Sequence, residues 1–214
     1  MKEPRAEDGE PGGESREPRT ESCEPRAASG VDMAVEVAGI RMQNPVLTAS
    51  GTFGYAQEFE RYLDLNRLGA LVVKTITRLP RPGNPAPRIA ETPAGMLNAI
   101  GLQNVGIDAF IREKLPYLRT LAPPLIVNVA GESVEDFREL TKRISDQEGV
   151  AGIELNVSCT NVAGGLDFST DPKLTYQVVK AAREATRLPL IPKLSPNVTD
   201  IRAIAKAAEE AGAD

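Results

Sequence analysis

The stretch GVAGIELNVSC, residues 149–159, reads as a β-strand with two different ends. Its body is apolar without clean alternation, the pattern of a strand buried on both faces in a parallel sheet rather than one with a wet side. Its end is not apolar. Asn156 and Cys159 stand at the C-terminal limit, in a run continuing Thr160, Asn161 and then glycine (IELNVSCTNVAGG, residues 153–165). Core packing does not ask for such a cluster.

The neighbouring segments repeat the pattern. NPVLTASG (44–51), ALVVKTITR (70–78), PPLIVNVAGES (123–133) and LPLIPKLSPN (188–197) read as further strands. Between and after them lie helical spacings: AQEFERYLDLNRLG (56–69) with a glycine stop, GIDAFIREKLPYLRTL (106–121) with Pro116 placed to kink it, SVEDFRELTKRI (133–144), DPKLTYQVVKAAREAT (171–186) and VTDIRAIAKAAEEAGAD (198–214). Ser133 and Asp171 are predicted N-caps, with Pro172 in the first turn. The stretch from Pro80 to about Thr92 reads as a Pro/Gly-rich loop.

Five alternations of strand and helix leave a doubly wound open sheet or a (β/α)8 barrel. ASGTFG (49–54) has two glycines but not the dinucleotide-binding spacing. The strand ends decide for the barrel. They carry Ser50, Lys74 with Thr75, Asn128, Asn156 with Cys159, and Lys193 with Ser195. In a barrel such ends converge on one face, where barrel active sites lie. Proximity to solvent would account for one or two polar ends, but poorly for two lysines and two asparagines set in apolar strands. The expected fold is therefore an α/β TIM barrel, with about five β/α units in this chain.

Composition narrows the function. The chain has 214 residues, a net charge of −5 and no histidine. The acidic balance argues against a nucleic-acid partner held by bulk electrostatics, and no apolar run reaches the ~20 residues of a membrane span. Without histidine, acid–base work falls to Cys, Lys, Asp, Glu or Tyr. The two cysteines, Cys23 and Cys159, make no disulfide framework, and with no apolar signal segment a reducing, cytoplasmic setting is expected. Residues 1–30 repeat EPR at Glu3, Glu17 and Glu24 and carry almost nothing apolar. They read as a disordered low-complexity tail, leaving 31–214 as the folded domain.

ASGTFG, VVKTIT (72–77), GNPAPRIAETPAGMLNAIGLQN (83–104), NVAG (128–131), ELNVSCTN (154–161) and KLSPNVTDI (193–201) resemble, in order and spacing, the dihydroorotate dehydrogenases. GMLNAIGLQN (95–104) is most similar to the class 1B, NAD-linked catalytic subunit. The resemblance implies a barrel that binds FMN and oxidises dihydroorotate to orotate in pyrimidine (UMP) synthesis. It implies Cys159 as the base that takes the C5 proton, where class 2 members use serine. It implies that Asn98, Asn156 and Asn161 hold the substrate's carboxylate and amide groups, that Asn98, Ala99, Ile100, Gly101 and Leu102 form a substrate loop, and that Lys74 touches both substrate and flavin. Ser50, Thr75, Asn128, Asn156 and Lys193 are the implied flavin contacts. No metal is implied. The implied partners are an iron–sulfur and FAD electron-transfer subunit with NAD as acceptor, around a homodimer core within a heterotetramer.

The residues suit these roles. A cysteine base needs its pKa of about 8.5 lowered by positive charge or donors. A lysine beside a reduced flavin offsets developing negative charge, and Asn amides offer both donor and acceptor to an imide-like ligand. The glycine-rich run after Cys159 reads as a loop able to close over substrate.

There are departures as well. Thr160 stands where the family usually has proline, which would loosen the loop carrying Cys159. Pro192 sits inside a strand, where a ladder hydrogen bond is expected to be lost. The chain ends at Asp214, where a sixth strand is expected, whereas such barrels take about 250 residues. The expectation is a partial barrel, poorly stable and inactive by itself. Alternatives are a fumarate-linked class 1A enzyme, a dihydropyrimidine dehydrogenase-like flavin domain, and a non-catalytic half-barrel that acts only through protein interaction.

Overall fold

A computed structural model describes residues 31–158 and 168–214. The predicted tail, together with Cys159, Thr160 and Asn161, lies outside the described residues. Within the unit Met33–Asp214 the strands are β1 (Val35–Val37), β2 (Ile40–Met42), β3 (Leu71–Val72), β4 (Ile89–Thr92), β5 (Gly95–Asn98), β6 (Leu125–Val129), β7 (Val150–Asn156) and β8 (Leu190–Lys193). The helices are α1 (Gly106–Ala109), α2 (Leu115–Leu118), α3 (Val134–Ser145), α4 (Pro172–Ala185) and α5 (Ile201–Glu210).

β3, β6, β7 and β8 form a parallel sheet in that order. The two faces separate by strand alternation. Leu71, Val73, Leu125, Val127, Val129, Ile153, Leu155 and Leu190 enter the main core with Phe137, Leu140 and Ile144 of α3 and Val178, Val179 and Ala182 of α4. Val72 and Ile126 face the other way and meet Ile40 and Met42 of β2. The β1–β2 hairpin thus closes the N-terminal part of the second face. Gly152 belongs to that contact, since a Cβ there would stand 2.8 Å from Ile40 Cδ1.

The helices start where their caps lie. Ser133 accepts from the Asp136 N–H, Asp171 from Lys173 and Asp200 from Arg202. Each satisfies a backbone donor that the first helical turn leaves without a partner. Between α1 and α2 the chain makes a π-turn over Phe110–Lys114. This widened turn directly precedes Pro116, whose missing N–H cannot continue α-type bonding.

Some expectations are corrected. The first predicted strand pairs only at an isolated parallel bridge, Leu47 with Ala70, so the sheet holds four ladder-forming strands among the described residues. The Thr48 hydroxyl takes over the role of the backbone there, accepting from Val72 N at 2.8 Å and donating to Val72 O at 2.9 Å. The predicted helix over 56–69 is instead two short 3-10 turns, Gln57–Phe59 and Leu65–Arg67. Ala56 stands at φ 73, and Asp64 bonds to the Asn66 N–H, a turn geometry that competes with a continuing helix. Gly69 is therefore no helix stop. A Cβ on it would meet Asn44 O at 1.9 Å, and its N–H donates to Val46 O at 2.7 Å. Gly69→Ala should push the 44–50 segment off the sheet and cost about 1–3 kcal/mol, as overpacking does. A denaturant midpoint equal to that of the parent chain would refute this.

Part of the predicted 80–92 loop, with the residues after it, forms the β4–β5 hairpin, which pairs Ile89 with Asn98. Pro192 removes no bond to β7. Ile153 N donates to Pro189 O, and the alternation of a parallel ladder then turns the Pro192 nitrogen away from β7.

Candidate functional site

Beyond the β1–β2 plug, the second face of the sheet turns polar. Asn128 on β6, Glu154 and Asn156 on β7, and Lys193 on β8 lie in register: Asn128 pairs with Glu154 and Asn156 with Lys193. Residues registered across parallel strands project to the same side. Burying polar groups in a sheet costs free energy unless they bond to one another or to a ligand, so their partners define the site.

Those partners come from the strand ends. Lys193 Nζ donates to Ser50 Oγ at 3.3 Å, across 143 positions of sequence. Asn156 Nδ2 reaches Thr75 Oγ1 at 3.5 Å, and its Oδ1 accepts from Ser158 Oγ at 2.8 Å. Ser50, Thr75, Asn128 and Asn156 are buried, whereas Lys193 and Lys74 are half-buried. Lys74 is held at its backbone by Gly54 O, at 2.8 Å. Asn128 is fully buried. Its Nδ2 donates to Glu154, and its Oδ1 has no hydrogen-bond partner among the described residues. A carboxylate only accepts, so Glu154 dictates which end of the Asn128 amide faces it and leaves the oxygen as an unmet acceptor.

The structure therefore brings together Ser50, Thr75, Asn128, Asn156 and Lys193, and sets Lys74 on the same strand end as Thr75. It places the 98–102 segment differently. Asn98 and Ala99 are exposed and Ile100, Gly101 and Leu102 half-buried, at the end of β5 on an arm running from Leu79 to Val105. Asn84 holds this segment: its N–H donates to Ile100 O at 3.1 Å and its Nδ2 to Ala99 O at 2.8 Å.

Sequence reasoning missed Glu154. Its spacing of two from Asn156, in an otherwise apolar strand, was an available signal. It also missed the base of the arm, where Tyr55 is buried; burial pushes its hydroxyl above the usual range, against a smaller lowering by the Val105 N–H. Among the described residues, no group of three or more Cys, Asp or Glu could hold a metal ion, and no helix is long and apolar enough to cross a membrane.

Chemically, the cluster offers a cation, hydroxyls, amides and an unmet acceptor on one floor. That set suits a flat, polar ligand with carbonyl oxygens and ring N–H groups, and it carries no thiol among the described residues.

Comparison with known proteins shows the family. The family model described as dihydroorotate dehydrogenase matches residues 32–214. A protein of Geotalea uraniireducens named dihydroorotate dehydrogenase B (NAD(+)), catalytic subunit, is 58% identical over 184 residues, covering 86% of this chain and 60% of that relative. Proteins of the same name from Geobacter sulfurreducens and Desulforudis audaxviator are 56% and 57% identical with the same coverage. The chain thus spans about 60% of the length of the curated relatives it matches. A crystal structure of the Eimeria tenella enzyme in complex with ferulenol superposes with a TM-score of 0.70 at 23% identity, over 86% of this chain and 58% of that one. At that identity the likeness speaks for the fold alone.

Proposed function

Because the chain belongs to the dihydroorotate dehydrogenase family, we propose that it provides the flavin- and substrate-binding floor of a class 1B enzyme that oxidises dihydroorotate to orotate in pyrimidine synthesis. The observation that carries this is the Lys193–Ser50 pair beside Asn156 and Asn128 on one sheet face. The residues present fit FMN. Lys193 and Ser50 supply a cation and a hydroxyl for carbonyl oxygens, and the buried Asn128 Oδ1 lacks a donor, a deficit worth about 1–3 kcal/mol until one reaches it. Ser50, Lys74, Thr75, Asn128, Asn156 and Lys193 would hold the cofactor, which when bound supplies the acceptor for the hydride leaving C6.

The protein's own share is binding and proton transfer. Asn156, with Asn98 and Asn161, would orient the substrate through amide donors and acceptors. Lys74 would contact substrate and cofactor together. Cys159 would take the C5 proton as thiolate, a state that nearby positive charge favours. With no histidine in the chain, the thiol is a natural choice of base.

The names of the relatives, a catalytic subunit of an NAD-linked enzyme, support a separate electron-transfer subunit; the family resemblance adds that this subunit carries iron–sulfur and FAD groups passing electrons to NAD, around a homodimer core. Cysteine usage supports a cytoplasmic location. Copurification of a flavin and iron–sulfur subunit favours class 1B; its absence, with fumarate as acceptor, would favour class 1A.

The direct test is a titration of the chain with FMN, read by quenching of flavin fluorescence, followed by orotate. Saturable FMN binding and an orotate-dependent shift of the flavin spectrum, without a comparable shift from uracil, are the results this reading gives, whereas a chain that retains no FMN is the result that the expectation of an unstable, inactive partial barrel gives. Lys193→Met should weaken FMN about 10- to 100-fold, the loss of one charge-assisted hydrogen bond. Equal affinity of parent and variant, or a response to uracil in place of orotate, would overturn the assignment.

A further inference from the structure

The arm that carries residues 98–102 leaves the sheet after Thr77 and returns at Gly106, and one buried side chain closes its base. Asn104 is 6% exposed and bonds in several directions. Its Oδ1 accepts from Thr77 N at 3.1 Å and Gly106 N at 2.9 Å. Its Nδ2 donates to Thr77 Oγ1 and to Leu102 O, both at 2.9 Å. Its backbone exchanges hydrogen bonds with Arg81, at 2.9 and 3.0 Å. The Thr77 hydroxyl in turn donates to Leu79 O at 2.7 Å. Gly106 admits the close return of the chain at φ 75, since a Cβ there would stand 2.7 Å from Pro80 N.

One of these bonds reaches the loop itself. Leu102 holds a left-handed backbone, φ 54, directly after Gly101 at φ 76. A non-glycine residue keeps that conformation only where its surroundings impose it. The Asn104 amide grips the carbonyl of that residue from a fully bonded, buried position.

We propose that Asn104, locked by Thr77, is a positioning residue that sets the backbone of the 98–102 loop for substrate, without touching substrate. This rests on the reading of 98–102 as the substrate loop. Asn128, Asn156 and Lys193 stand on strands of the parallel sheet, whereas the loop sits on an exposed hairpin whose own strands are too short to hold it in place. The precision of that loop therefore comes from its base.

Asn104→Asp separates positioning from folding. An aspartate keeps an acceptor for the Thr77 and Gly106 N–H groups but has no donor for Leu102 O. Hydrogen exchange of the flavin-loaded chain should show amides of residues 98–105 exchanging about tenfold faster in Asn104→Asp, while amides of β6, β7 and α3 keep parent rates. Orotate should bind about tenfold more weakly, with FMN affinity unchanged. Thr77→Val should move both readouts in the same direction. Unchanged exchange over 98–105 would sink the inference whether or not orotate binds, and so would a rise spread through the sheet, which marks a merely structural role. A parent chain that shows the exchange contrast but ignores orotate would instead overturn the functional reading and leave the clamp in place.

Discussion

Cys159→Ala is expected to slow oxidation of dihydroorotate by about 10²–10⁴-fold, the usual contribution of a positioned general base, while orotate affinity changes little. Orotate is already the oxidised product and its vinylic C5–H is not abstracted, so its binding reports the pocket and not the base. The measurement is anaerobic mixing of the FMN-loaded chain with dihydroorotate, following loss of flavin absorbance; bleaching by the parent chain overturns the expectation of a partial barrel inactive by itself, and a parent chain that does not bleach bears that expectation out. Cys159→Ser should retain part of the rate, since a hydroxyl can still accept a proton but is a far weaker acid than a thiol. A parent-like rate in Cys159→Ala would move the base elsewhere and remove the reason for a thiol in a chain without histidine. Thr160→Pro tests the same loop from the other side: restoring the fixed φ should raise the rate if the threonine loosens the base.

The second large effect is structural. Phe137→Ala should lower the stability of the folded unit by about 3–5 kcal/mol. Phe137 is 1% exposed on α3 and meets Phe168 edge-on, ring centroids 5.7 Å apart at 84°. It joins α3 to the buried ring of Phe168, ahead of α4. Removing the ring leaves a cavity between a helix and the sheet that cannot close without moving either. Thermal unfolding should shift down by about 10 °C, given roughly 2–4 °C per kcal/mol at this size. A shift of a degree or two would mean that the helix layer is not seated on the sheet as described.

Much of this was legible beforehand because it is local. The apolar runs of β6, β7 and β8 and the caps Ser133 and Asp171 sit where the sequence pattern puts them, since strand burial and capping depend on residues a few positions apart. The convergence of strand-end residues was legible too, through the rule that parallel strands present their C-terminal ends together. Other features were not. Thr48 substitutes a hydroxyl for a ladder, Gly69 serves a backbone approach of 1.9 Å rather than a helix end, and the end of the stretch that read as a loop to about Thr92 pairs with the residues after it as a hairpin. The first two depend on partners more than 20 positions away. Glu154 and Asn104 were missed for the same reason: a single Glu or Asn looks ordinary until the group it bonds is known.

The amino-acid sequence by itself determined the class of fold, the parallel sheet with its helices, and the residue types available for chemistry, because periodicity and composition are properties of the chain alone. Only the tertiary structure decided that Lys193 meets Ser50, that Asn128 is turned by Glu154, and that Asn104 closes the arm. Those are pairings across 143, 26 and 2 to 27 positions, and what selects them is which polar groups the packed sheet leaves buried together, where each must find a partner or remain at a cost.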